Sequence, residues 1–207
     1  MKKILYLAIF LLIIIILGIF FWKLMISPQY SLKKLEIAIE EHDVIAFNKY
    51  IDLDETVDDI IVQTWNYYTS REATGSRWDE IRSEIGNSLL SVVKPNIKEI
   101  IKDEILAYIK TGQWSGNDPD NKDGITAAVF NIVKEKIDPT QWDQQSINYT
   151  EIEDDIAYIG LTYYDKNKET NFIVEVKMRD MRGYWQIIEI PNISSIINAF
   201  QNIDKNQ

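Results

Sequence analysis

Asn171-Phe172-Ile173-Val174-Glu175-Val176-Lys177-Met178-Arg179 is the stretch that decides the fold. Phe172, Val174, Val176 and Met178 fall on one side of an extended chain, while Asn171, Glu175, Lys177 and Arg179 fall on the other, which predicts a strand with one wet face. Short runs rich in isoleucine, valine, tyrosine and threonine flank it on both sides, divided by turn residues. They predict an antiparallel meander near Ser146–Ile152, Ile156–Tyr164, Asn171–Arg179 and Tyr184–Ile190. Pro191 ends the last strand and Asn192 is placed to cap a final helix that presses Ile193, Ile196, Ile197 and Phe200 onto the sheet.

Upstream the period changes to that of helices. Ser27-Pro28 interrupts the chain, and Leu32, Leu35 and Ile39 then recur at helical spacing. Asp43 reads as the cap of a short helix with Val44, Phe47 and Ile51 on one face. Asp52 or Asp54 opens the next, striped by Val57, Ile60, Ile61, Thr64, Trp65 and Tyr68. After a loop at 70–76, Trp78, Ile81, Ile85, Leu89 and Val92 mark one helix. Pro95 is expected to open a separate one bearing Ile97, Ile101, Ile105, Tyr108 and Ile109, stopped by Gly112. Residues 113–124 read as a loop, and Asp123 as the cap of a helix through Ile137. Helices first and an antiparallel sheet of about four strands second, with a last helix, make an α+β fold.

Before all of this lies Ile4–Trp22, nineteen consecutive uncharged and almost wholly apolar residues. At 1.5 Å per residue the run nearly matches the roughly 30 Å hydrocarbon core of a bilayer. Lys2 and Lys3 precede it and Trp22 and Lys23 close it, as expected at the two interfaces. The residues after Gly18 are bulky, so no signal-peptidase site is visible and an uncleaved anchor is expected. The expected organisation is a cytoplasmic tip and transmembrane anchor at 1–26, an extracytoplasmic domain at 27–203 (helical over 27–138, sheet plus helix over 146–203) and a tail at 204–207. The short charged amino terminus favours an inside tip and an exported body at the cytoplasmic membrane.

The 207 residues carry a net charge of −10, and beyond residue 26 there are 19 basic against 32 acidic side chains. Such a body is repelled by phosphate, which argues against nucleic acid as a partner and against lying flat on an anionic membrane surface. The chain has no cysteine and one histidine, His42. Disulfides, thiolate metal sites and a lipoprotein anchor are thereby excluded, and no cofactor is implied.

Ser27-Pro28-Gln29-Tyr30-Ser31-Leu32, continuing through Leu35, Ala38-Ile39, Asp43, Phe47 and Tyr50-Ile51-Asp52-Leu53-Asp54, resembles the opening of the bacterial family known as domain of unknown function 2939. Ile51 stands where that family more often has valine. The ending Arg179-Asp180-Met181-Arg182-Gly183-Tyr184-Trp185-Gln186-Ile187-Ile188-Glu189-Ile190 resembles the family's final hairpin, in which a tryptophan follows a glycine turn. The resemblance implies an anchor, this order of elements and a bacterial envelope setting. The family has no established activity, so it assigns no catalytic residue.

Motifs that would carry chemistry are few. Asn117-Asp118-Pro119-Asp120-Asn121-Lys122-Asp123-Gly124 collects oxygen donors, but counted from Asp118 the sixth and twelfth positions are Asp123 and Val129. A calcium loop of the EF-hand type needs glycine and glutamate there. Asp58-Asp59 and Glu153-Asp154-Asp155 are acid pairs expected on a solvated face and in a turn. His42 is expected to meet a helix carboxyl end. Trp114 and Trp142 adjoin predicted loops and are the candidate partner contacts. The reading is a membrane-anchored module that binds another envelope protein or a lipid and does not catalyse. The alternatives are a carrier of lipid or a small apolar ligand, and a carboxylate-dependent cell-wall hydrolase.

Overall fold

A computed structural model describes residues 2–70, 87–114, 142–166 and 169–204. Among these, the elements are α1 (Lys2–Met25), α2 (Pro28–Glu40), α3 (Val44–Tyr50), α4 (Leu53–Ser70), α5 (Asn87–Thr111), β1 (Trp142–Glu153), β2 (Ile156–Asp165), β3 (Thr170–Asp180), β4 (Trp185–Glu189) and α6 (Ile193–Asp204). The strands form one antiparallel sheet in the order β1-β2-β3-β4. Ile51 adds a parallel bridge to Ile187, a fifth segment at the β4 edge. The α+β architecture is therefore as the residue periods predict.

Register puts the apolar side chains of the two central strands on a common face. Ala157 pairs with Met178, Ile159 with Val176, Leu161 with Val174 and Tyr163 with Phe172. This row is buried against Leu35, Ala38, Phe47, Leu53, Val57, Ile61, Ile97 and Ile101 from the helices, and Ile193, Ile196 and Ile197 of α6 join the same core. Burial of this kind contributes about 25 cal/mol per Å² of apolar surface, so the sheet and helices hold each other.

The helix starts follow capping chemistry. Ser27 Oγ accepts from the Tyr30 amide at the head of α2, where Pro28 occupies the first turn and needs no amide partner. Asp43 Oδ1 accepts from the Ile45 and Ala46 amides of α3. Of the two candidates for α4, Asp52 is the cap, its Oδ1 accepting from the Glu55 amide, and Asp54 lies inside the first turn. Gly112 closes α5 with φ +71°, its amide bonded to the Tyr108 carbonyl. That left-handed geometry is one glycine adopts without strain.

Five expectations are corrected. Pro95 does not open a helix; α5 runs through it from Asn87 to Thr111. Proline removes one intrahelical bond, but Pro95 is exposed while Ile97, Ile101 and Ile109 are buried, so packing on the opposite side carries the helix across the defect. β1 begins at Trp142, four residues before the expected start at Ser146, and two register shifts, at Gln144/Ser146 and Ile147/Tyr149, hide its alternation. β4 is shorter than expected, and α6 runs on to Asp204. Asn192 precedes α6, but its side chain bonds the backbone of β3: Oδ1 accepts from the Glu175 amide and Nδ2 donates to the Ile173 carbonyl. The helix expected over 125–137 and the start of the one expected from Trp78 lie outside the described residues.

One glycine in the sheet is required by packing. The ring of Tyr149 on β1 lies over Gly160, and its hydroxyl donates to the Glu175 carboxylate on β3, two strands away. Burial, with the Glu175 carboxylate beside it, pushes the Tyr149 phenol up to about 12. A Cβ at Gly160 would overlap the ring. Gly160→Ala is therefore expected to lower stability by about 1–3 kcal/mol, the usual range for overpacking. Urea unfolding should show that Tyr149→Ala, which removes the ring, recovers most of that loss.

Candidate functional site

Two features stand out from the packed core: an uncovered apolar helix with the corner that fastens it, and an acid-lined cleft. In α1 the side chains from Ile9 to Leu17 are 46–61% exposed. A soluble monomer rarely shows a contiguous apolar surface of that length without a partner for it. Among the described residues no single helix is long and apolar enough to cross a membrane. Ile9–Met25 taken together with Pro28–Glu40, bent by 56°, passes by length and composition.

The corner between α1 and α2 has no slack. Ser27 Oγ donates to the Leu24 carbonyl while accepting from the Tyr30 amide, so one hydroxyl ends the first helix and starts the second. Trp185, the first residue of β4, then locks the corner to the sheet. Its indole Nε1 donates to the Ile26 carbonyl at 2.9 Å, and its backbone amide donates to Ser31 Oγ at 2.8 Å. Ser31 and Trp185 are both buried. The Tyr50-Ile51-Asp52 corner joins the same strand, where the Asp52 amide bonds the Ile187 carbonyl. The two stretches that carry the family resemblance thus pack against each other.

The cleft has a volume of about 590 Å³ and is lined by Asp52, Asp54, Glu55, Asp58, Asp59 and Glu189, with Lys98, Val62 and Ile188. Its acids are largely matched. Lys98 and Lys102 of α5 reach Asp54 at 3.2 and 3.0 Å, Lys94 reaches Asp58 at 2.6 Å, and Lys177 reaches Glu189 at 2.7 Å. Hydrogen bonds from Lys102 and then Lys98 hold the Asp54 carboxyl below its ordinary value. The lysines of α5 thus form a charged seam with α4, Lys177 ties β3 to β4, and such exposed pairs contribute little each. Among the described residues no group of three or more His, Asp or Glu side chains is placed to hold a metal ion.

Asp59 behaves differently from its neighbours. It accepts from Gln63 Nε2, which also donates to the Ile190 carbonyl. Burial, reinforced by the charge of Glu189, raises its carboxyl above the ordinary value. Folding therefore favours the protonated form. The stability this confers is fully present below the unfolded-state carboxylate range and is lost as pH rises through the raised value. Asp59→Asn is accordingly expected to melt higher than the natural chain at neutral pH, with the gap closing as the buffer is made acidic. Thermal unfolding across pH 3–7 (about the span of carboxylate titration) checks this.

The other residues singled out by sequence fall into structural places. His42, at φ +59° just past α2, has its Nδ1 2.8 Å from the Ile109 carbonyl in the last turn of α5. The ring thus meets a helix carboxyl end, though of a different helix from the one it follows. Asp154 and Asp155 form the β1–β2 turn, Asp154 in the left-handed region at φ +53°. Trp114 is half-buried and stacks on Tyr108 at 4.7 Å between ring centroids. Trp142 is the first residue of β1, paired with Asp165, so it is borne on a strand and not on a loop. The polar loop 117–124 lies outside the described residues. Sequence reasoning met Ser31 and Trp185 only within the stretches that carry the resemblance, and did not join them. The glycine turn before Trp185 was the available signal, but the partners are more than 150 positions apart.

No protein-family model matches the chain, and neither a curated protein nor a solved structure matches it significantly.

Proposed function

We propose that this chain is a single-pass, membrane-anchored protein of the bacterial envelope, akin to the domain of unknown function 2939 family, whose acidic α+β body binds a partner and does not catalyse. The observation that carries the proposal is the uncovered apolar surface of α1, with the charged residues Lys2, Lys3 and Lys23 confined to its two ends. α1 has 24 residues, about 36 Å of helix at 1.5 Å per residue; its apolar run Ile4–Trp22 has the length a bilayer core asks for, although the part from Ile9 to Met25 taken alone falls short. The body follows after a two-residue corner and lies on the outer side of the cytoplasmic membrane.

Fractionation of cells expressing the full chain tests this. The protein is expected in the membrane pellet after an alkaline wash, released by detergent, and its body is expected to be cut by protease added to spheroplasts. Recovery of the intact chain in the soluble fraction defeats the anchor, and a protected body defeats the orientation.

A second reading takes its support from Asp59. Asp59, whose carboxyl burial raises above its ordinary value, and a second acid, Glu189, lining one cleft suit a carboxylate-dependent cell-wall hydrolase. Clearing of a peptidoglycan gel by the full chain, abolished in Asp59→Asn, would favour it over the binding reading.

A further inference from the structure

The corner that fastens α1 also brings together an edge unlike the rest of this acidic body. Lys49 Nζ stands 4.8 Å from the ring centroid of Tyr184 and 5.3 Å from that of Tyr50, and the two rings meet edge to face at 5.8 Å. On the first turns of α2, Lys34 Nζ stands 5.5 Å from the Tyr30 ring. Arg182 is exposed at the β3–β4 turn, three residues from Trp185, and so within about 10 Å of it along the chain. Tyr184 adjoins Trp185 in sequence, and Tyr30 and Lys34 lie on the first turns of α2, just after Ile26, whose carbonyl accepts from the Trp185 indole where α1 ends. The acids at this end of the sheet include Asp180, whose Oδ1 accepts from the Arg182 amide, Glu55, which is paired with Arg179 at 2.9 Å, and the Glu153-Asp154-Asp155 turn. That turn belongs to β1 and β2; the Asp155 carbonyl accepts from the Asp180 amide at the end of β3, and β4 lies beyond.

We propose that the edge formed by Tyr30, Lys34, Lys49, Tyr50, Arg182 and Tyr184 beds into the phospholipid headgroup layer of the bilayer that takes α1. The inference rests on the anchor reading above. Aromatic rings with one polar end and long cationic side chains with apolar stems are the groups that this depth rewards. The cations complement the lipid phosphates, and the two-residue corner leaves the edge no room to stand away from the surface. The body then lies leaning on its α3–β4 side, with the acidic β1–β2 turn lifted from the phosphates.

The chain has no cysteine, so single reporters can be placed in the full-length protein. At Gly183 an added Cβ meets nothing within 4 Å, and its φ is not in the left-handed region, so Gly183→Cys marks the edge without strain. Asp155→Cys marks the acidic turn. Gln113→Cys marks the far end, beside His42 and about 20 Å of α2 away from the corner. Each is labelled with an environment-sensitive dye and reconstituted in phosphatidylcholine vesicles containing lipid with a nitroxide on its headgroup. The Gly183 label is expected to be quenched severalfold more than the other two. If the chain floats with the vesicles while Gly183 is quenched no more than Gln113, the edge does not touch lipid and the proposal fails. Equal quenching at Gly183 and Asp155 overturns the leaning pose. Failure to float defeats the anchor reading and this inference together.

Discussion

Trp185→Ala is expected to cost about 3–5 kcal/mol of unfolding free energy, the range for truncating a buried aromatic side chain. Trp185 is 6% exposed and sits where the corner, α2 and the sheet converge. The substitution removes the ring from the core and the Nε1 bond to the Ile26 carbonyl, while the amide bond to Ser31 Oγ depends on backbone alone. Trp185→Phe separates these contributions. It keeps most of the apolar volume and loses the indole donor, so it should cost only about 1 kcal/mol. Ile26 is 37% exposed, which allows solvent to satisfy the abandoned carbonyl. Urea unfolding of the full chain in mild detergent, followed by circular dichroism, reads both. An unshifted midpoint in Trp185→Ala would mean that the corner and the sheet do not stabilise each other.

The second large effect is expected at Met178. It is fully buried in β3, facing Ala157 on one neighbouring strand and Ile187 on the other. Met178→Ala leaves a cavity beneath the helices that neighbouring backbone cannot collapse to fill, because both flanking strands are held by ladder bonds. The expected loss is about 2–5 kcal/mol. Met181→Ala, three residues on in an exposed turn, is the matched control and should stay within about 0.5 kcal/mol. Comparable losses in the two variants would contradict the assigned register.

Legibility in the sequence tracked how local the cause was. The alternation of Phe172, Val174, Val176 and Met178 fixes both the strand and its buried face, and the Asp43 cap needs only the next three residues. Pro95 misled because its local preference is overridden by burial of Ile97, Ile101 and Ile109 along the same helix. Asn192 misled for the same kind of reason: its side chain satisfies a strand it does not adjoin in sequence. Tyr67 lies off the single stripe expected for α4, yet it is buried and bonds Asn198 of α6 at 2.6 Å. A helix covered from two directions buries a wider arc than one period reveals. In the candidate site, Asp58 and Asp59 were visible as acids. Their different environments were not, since Lys94, Glu189 and Ile190 come from other elements. The apolar run of α1 was plain from composition alone, whereas the clasp that holds it was not.

The Asn192 amide has one more consequence. β4 is paired with β3 only from Lys177 to Asp180, which leaves the earlier part of β3 beside a strand that has already ended. Bare peptide groups there would offer a template on which a foreign chain could zip. By occupying the Ile173 carbonyl and the Glu175 amide, a single carboxamide stands in for the missing rung and blunts that invitation to aggregate.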